Sequence, residues 1–454
     1  MTRIRLALTG AALALVAVVP SPATAAPLTG VHDDRAWQLS GRDDSLGDRT
    51  RDVRRMGARI FQTDLLWSEV ARRRPKHPTD PGDPAYDWYR QDRAIRAARA
   101  AGLTVQLALY HTPRWLGGGA YGNAAPPLRD LRRFAVAAGR RYSGRYRPAP
   151  YAKPLPRVGR WIAWNEPNLE LFLRPQFRSV GGRLVSASPR LYAGMLRAIR
   201  DGLRAGMRRQ RAAAPIVAGG ATAPKGDRRP SSVHSSHTPQ RFMAELAAFH
   251  PRMAAWAHHS YPLGPPKLGA PRLTGPIDAW NVTALPRLLD RAGGTLSGLP
   301  VWITETGVPT ERVRVYNLSF EADTSARVLG AMYHRAAASR RITEFVVYFL
   351  QDHPLWRTGL RDLYFRPKAT WYAACDAFWR ARGGRCLGPT VMGVPLPKPR
   401  PGPGGTPTPP GTPGTPGGGG SGGGGGDPGL PLPPIPPPPP IPPAPSLDDI
   451  LPLP

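Results

Sequence analysis

The chain has 454 residues, and its 62 Lys and Arg against 31 Asp and Glu give a formal charge of +31. No zinc-finger, helix-turn-helix or RNA-binding signature accompanies that charge, so a nucleic-acid partner has no support. The Arg are scattered over the predicted helices, as solvated faces would have them, and an acidic glycan or anionic envelope is the remaining partner the charge suggests.

In chain order, Met1 to Ala25 reads as a secretory signal. Arg3 and Arg5 precede an apolar stretch from Leu6 to Val19 that is too short to span a bilayer, and Ala23-Thr-Ala25 is a small-residue cleavage site. The expected mature protein is therefore secreted, with cell-wall association as an option. A first strand is predicted at Leu28–His32 and a helix over Leu46–Met56. A second strand follows at Ala58–Leu66, a helix from Trp88 to Ala101 stopped by Gly102, and a third strand at Thr104–Tyr110. Pro127 to Tyr142 is helical, Trp161–Trp164 is strand four, and a long helix runs from Pro189 to Gln210.

Strand five is expected at Ile216–Gly219. Thr238 is the expected N-cap of a helix from Pro239 to Phe249. Ala254–His259, Val301–Thr304 and Phe345–Leu350 give strands six to eight, separated by helices at Ala284–Ala292 and Ala322–Ser339, with a closing helix at Ala369–Ala381. Short apolar runs alternating with helical periodicity predict βα units on a parallel sheet, here an α/β fold of the (β/α)8 TIM-barrel kind over residues 26–387. Arg72–Pro84 and Gly264–Gly275 are its long loops. Cys375 and Cys386 are an even pair close in sequence, expected to close a local disulfide in an exported protein.

From about Gly388 the composition turns to Pro and Gly, with Gly417–Gly420, Gly422–Gly426 and Pro436–Pro440 as extremes. Such a segment, 388–454, lacks the apolar surface to offset its ordering entropy and is expected to be a disordered tail. A spacer is its first reading, with wall threading or partner docking as the alternative.

In such a barrel, polar groups just after each strand meet at one mouth. These are His32, Asp64, His111, Asn165, Glu166, His259, Tyr261 and Glu305, with Gln351 or Asp352. Glu166 and Glu305 each follow a short apolar strand, and two carboxyl groups flanking one bond are what glycoside hydrolysis requires: one to protonate the leaving oxygen, one to attack or stabilise the sugar cation. Trp115, Trp161, Trp164 and Trp302 are near enough in sequence to wall the site, and any that face the cleft can stack on a sugar ring. His258 and His259 are adjacent and must face opposite ways on a strand, so one is structural.

The runs Trp-Asn-Glu-Pro-Asn at 164–168 and Ile-Thr-Glu-Thr-Gly at 303–307 resemble the signatures of clan A glycoside hydrolases, nearest to the retaining enzymes of families 5 and 39. The resemblance implies Glu166 as acid/base, Glu305 as nucleophile, Asn165 on the sugar 2-hydroxyl, and His259 and Tyr261 orienting substrate and nucleophile. His111, Asp64 and Trp115 complete the expected carbohydrate-binding set. A monomer with no cofactor and no metal is expected. One departure stands out. The clan commonly has an Arg near the end of strand two, beside the nucleophile; Gln62 occupies that place, with Arg59 on the opposite face. That departure motivates an alternative, a non-catalytic carbohydrate-binding envelope protein on a degenerate barrel. A metal-dependent hydrolase is disfavoured, since the first strand lacks a His-x-His pair.

Overall fold

The structure is a computed structural model that describes residues 26–34, 43–230, 235–265, 273–311 and 319–388, with the backbone of 390–391 and 394–395. The signal-like stretch, most of the tail and part of the Gly264–Gly275 loop lie outside the described residues.

Eight parallel strands close into a barrel. They are β1 (Leu28–His32), β2 (Ile60–Leu66), β3 (Thr104–Tyr110), β4 (Arg160–Ala163), β7 (Ile216–Thr222), β8 (Trp256–His259), β9 (Val301–Glu305) and β10 (Ile342–Tyr348). β1 closes the ring by pairing with both β2 and β10. The helices alternate with them: α1 (Asp43–Arg55), a single turn α2 (Trp67–Val70), α3 (Tyr89–Ala100), α4 (Leu128–Arg141), α5 (Ser188–Arg209), α6 (Pro239–Ala247), α7 (Leu285–Ala292), α8 (Ala322–Ala337) and α9 (Ala369–Arg380). Thr238 caps α6 as expected, its hydroxyl accepting from Arg241 N.

One element had no signal in the sequence. A β-hairpin, β5 (Phe177–Val180) with β6 (Arg183–Ser186), stands in the loop between β4 and α5. Its residues neither alternate strongly nor form an apolar run, and its turn is carried by Gly181 and Gly182, both at positive φ. The two-residue strands β11 (Thr390–Val391) and β12 (Val394–Pro395) also pair, so regular backbone reaches a few residues into the segment expected to be tail.

Packing fixes the barrel wall. α4 and α5 approach so closely that a Cβ on Gly139 would lie 2.5 Å from Leu203 O, and one on Gly206 2.3 Å from Val136 O. On the same side Trp67, Trp88 and Phe134 stack, with ring centroids 5.2 and 5.7 Å apart. Cys375 and Cys386 form the disulfide that ties the segment after α9 back to that helix.

The lower part of the barrel interior is polar rather than aliphatic. Arg160 pairs with the fully buried Glu344 and lies 3.9 Å over the Trp302 ring. Gln106 donates to Glu344 Oε1 at 2.5 Å and accepts from Arg160 Nε at 3.0 Å. A buried ion pair is tolerated only when its remaining polar atoms are also partnered, and this network does that. It forms the floor on which the mouth residues stand.

Candidate active site

The carboxylates come from opposite arcs of the barrel. Beyond β4 the chain takes positive φ at Trp164 (71°) and again at Glu166 (35°), a region sparsely open to residues with a Cβ. The turn is held by Glu166 N donating to Ala221 O and by Trp164 Nε1 donating to Phe172 O. Its effect is to bury the Trp164 ring and throw Asn165 and Glu166 into the mouth. Glu305 needs no such turn, being the last residue of β9. One carboxylate oxygen of each, together with a ring nitrogen of His259, lie within 4.8 Å of one another.

His259 links the pair. Its Nδ1 is 2.8 Å from Glu166 Oε1 and 3.5 Å from Glu305 Oε2. Burial opposes a charge on this imidazole, but Glu305 and Glu166 outweigh it and raise its pKa. The hydrogen bond to Glu166, with Glu305 close by, draws the three groups together. Tyr261 donates its hydroxyl to Glu305 Oε2 at 2.9 Å. On the other side His32 places Nδ1 3.6 Å from Glu305 Oε1 and Nε2 3.3 Å from Asp64 Oδ1.

The Glu305 carboxyl is pushed up, by burial first and then by Glu166 and Asp64, while His259 and His32 pull it back. A nucleophile must be ionised to attack, so the two imidazoles matter to what Glu305 can do. Asp34, just past β1, is pushed up to about 6 by burial, with Asp64 and Asp33 adding and His32 and the Tyr348 hydroxyl opposing.

These groups line a cleft of about 650 Å³. Of the residues expected at the mouth, Asp64, His111, Asn165, Glu166, Tyr261 and Glu305 face it. His32 and His259 stand behind its wall, 1 % exposed, acting through the carboxylates they touch. His111 sits at φ 70°, with burial pushing its pKa down. His258 is the structural member of the adjacent pair: Thr222 Oγ1 lies 2.9 Å from Nδ1 and Ile277 O 2.7 Å from Nε2.

Several expectations are corrected. Trp115 does not line the cleft; the short 3-10 turn Arg114–Leu116 folds its ring against Trp67, where Nε1 donates to Ala71 O and Arg74 covers its face. Trp161 and Trp164 are fully buried, and Trp302 lies under Arg160, so none of the four is a platform. Gln351 and Asp352 do not face the cleft either. Gln351 accepts from Arg49, and Asp352 is fully buried against Lys368. β10 ends at Tyr348, two residues earlier than expected, which shifts the mouth position to Tyr348 itself. Arg59, expected on the second strand, lies exposed just before it, since β2 begins at Ile60, while Gln62 is buried and donates to Thr304 O.

The structure adds residues that sequence reasoning did not single out. Asp34, Tyr110, Tyr348 and Trp356 all line the cleft. Tyr110 donates to Asp64 Oδ2 at 2.7 Å and Tyr348 to Asp34 Oδ2 at 3.0 Å. Tyr110 was legible as the last residue of the predicted third strand. Trp356 was not, because it reaches the cleft from an aperiodic loop, edge-on to Tyr261 and Tyr348.

No family model matches the chain, and no curated protein matches it in sequence. Solved structures do. A family 39 glycoside hydrolase from the gut symbiont Bacteroides cellulosilyticus WH2 aligns over 78% of this chain and 64% of its own, at 17% identity and a TM-score of 0.51. A monomeric beta-xylosidase from Caulobacter crescentus CB15 aligns over 77% and 67%, at 18% identity and 0.53. A GH5_18 variant from Bifidobacterium longum subsp. longum ATCC 55813, solved in complex with Manβ1-4GlcNAc, aligns over 78% of each chain at 14% identity and 0.50. The chain thus spans less than two thirds of the length of the family 39 enzyme, and shares with these proteins the glycoside hydrolase barrel fold.

Proposed function

We propose that this protein is a retaining glycoside hydrolase that cleaves β-O-glycosidic bonds in a polysaccharide or glycoconjugate by double displacement. The observation that carries the reading is the approach of the Glu166 and Glu305 carboxylates to within 4.8 Å across an open cleft. Retaining enzymes hold their two carboxyl groups roughly 5–5.5 Å apart, whereas inversion needs room for a water between them, at roughly 6.5–9.5 Å.

Glu305 attacks the anomeric carbon and Glu166 gives the leaving oxygen its proton; Glu166 then takes a proton from the water that releases the glycosyl-enzyme. His259, hydrogen-bonded to Glu166 and facing Glu305, ties the two groups electrostatically, and Tyr261 aligns the attacking oxygen. Asn165 and His111 are at the cleft surface to meet sugar hydroxyls. The N-terminal sequence and the Cys375–Cys386 disulfide support action outside the cell.

The test is kinetic and stereochemical. Glu305→Ala should abolish turnover of aryl β-glycosides. Glu166→Ala should lose about 10²–10⁴-fold on poor leaving groups and recover with azide on activated ones. Proton NMR of the first product should show the β-anomer. Unchanged turnover in either variant, or an inverted product, rejects the reading. Glycan binding with no hydrolysis across a broad panel would instead favour the non-catalytic alternative that Gln62 motivates.

A further inference from the structure

The charge of +31 has no counterpart in the cleft, which Asp34, Asp64, Glu166 and Glu305 line. A second pocket, of about 130 Å³, shares none of the cleft's lining residues. Four cations line it: Arg74 and Lys76 from the long loop before α3, and Arg129 and Arg133 from α4. Asp130 is the acid among its described lining residues, 3.5 Å from Arg133 and 3.7 Å from Arg129. Arg74 and Lys76 are exposed, and neither makes an ion pair among the described residues.

Local structure does not require this grouping. Arg129 and Arg133 stand in the first turns of α4, where the helix dipole favours acids instead. Like charges gathered in one pocket repel, and long side chains in water are free to spread apart. Arg74 is held in place all the same. Its guanidinium lies 5.1 Å over the Trp115 ring, and that ring is fixed in turn by Ala71 O on Nε1 and by Trp67 edge-on at 6.2 Å. A planar guanidinium fixed on an aromatic floor offers paired donors that match a carboxylate.

We propose that this pocket is a binding site for a carboxylated polysaccharide, separate from the cleft, that holds the protein on an acidic glycan. The site goes beyond the glycosidase reading and borrows from it only the carbohydrate nature of the partner. Both pockets are built on the same segments: Asp64 and Trp67 at and after the end of β2, His111 and Trp115 after β3. The second pocket therefore opens at the mouth end of the barrel, beside the cleft. A single-stranded nucleic acid would need a free aromatic face for its bases, and Arg74 already covers that of Trp115. A carboxylate needs only the guanidinium.

The test uses the full-length protein and hexagalacturonate, with the fully methyl-esterified hexamer as its uncharged control, in calorimetric titrations at about 0.15 M salt. Expected are saturable binding of the acid and binding of the ester at least about tenfold weaker, since the ester offers no ion contact. Arg74→Ser with Lys76→Ser should weaken binding of the acid about tenfold, as two partly exposed ion contacts each worth a few-fold. Arg208→Ser with Arg209→Ser removes the same charge from the exposed end of α5 and should change it by less than about twofold. If the first double variant does not fold, Arg129→Ser with Arg133→Ser takes its place. On a small aryl glycoside kcat/KM should stay at the wild-type value in the pocket variants, since they touch no residue of the cleft.

Equal losses in the pocket variant and the α5 variant would reduce the attraction to diffuse charge and overturn the proposal. So would no binding of hexagalacturonate, or an ester bound as tightly as the acid. Tighter binding of single-stranded DNA or of phosphatidylglycerol vesicles, lost in the pocket variant, would assign the pocket to another polyanion and overturn it too. Binding as expected in a protein that turns over no aryl glycoside would reject the glycosidase reading and leave this site standing.

Discussion

The Tyr261 hydroxyl donates to Glu305 Oε2 across 2.9 Å, from a residue that follows β8 to the last residue of β9. The two strands are neighbours in the barrel, so the contact is set by strand order and register rather than by any local motif. A hydrogen bond to a charged group contributes about 1.5–3 kcal/mol. Tyr261→Phe should therefore lower kcat on aryl glycosides about 10- to 100-fold while leaving KM near its wild-type value. A variant that loses only substrate affinity would show that the phenol serves the sugar and not the carboxylate.

Trp356 is one of the aromatic side chains lining the cleft and stands edge-on to Tyr261 and Tyr348. If a sugar stacks there, Trp356→Ala should raise KM about threefold to tenfold, the size of one aromatic contact, with a smaller effect on kcat. Trp115→Ala should leave KM unchanged, since that ring packs under Arg74 outside the cleft. Steady-state kinetics of the two variants side by side decide which tryptophan meets substrate.

Charge in the cleft runs against the charge of the chain. Asp34, Asp64, Glu166 and Glu305 line it, with Lys225 the cationic side chain among its lining residues. A sugar carrying a carboxylate would meet the ionised Glu305 at the deep end, and like charges at close range are costly. Neutral aryl glycosides should be turned over at least tenfold faster, in kcat/KM, than the matching uronides. Comparable rates on a uronide would restore the acidic glycan that the net charge of +31 suggests.

His258 is fully buried and held at about 3, by burial first with His259 adding, against the opposing bond to Ile277 O. An unfolded histidine binds its proton near 6.5, so between that pH and about 3 the unfolded chain takes up a proton that the folded chain refuses. The stabilisation is present above pH 6.5 and is lost as pH falls. His237, held at about 4, adds to the same slope. The urea midpoint should drop between pH 7 and pH 4.5. In His258→Gln that drop should be shallower, by an amount on the order of 2–3 kcal/mol. Equal slopes in the two proteins would show that this histidine is not the acid-sensitive group.

The alternation of apolar runs with helical periodicity determined the eight βα units, and each predicted strand overlaps an observed one because burial on both faces of a parallel sheet leaves the same apolar signature in every case. It also determined the two glutamates, since each closes such a run, and the local Cys375–Cys386 pairing, since short separation limits the choices. What it could not determine is which way a side chain leaves a strand end.

A two-residue error at the end of β10 exchanged Tyr348 for Gln351 and Asp352, and an aperiodic loop hid Trp356. The approach of His32 to Asp64 and Glu305, and the pairing of Arg160 with Glu344 beneath the mouth, required closure of the barrel. Periodicity is a property of each strand alone, whereas these contacts depend on register between strands far apart in the chain, and only the closed sheet fixes that.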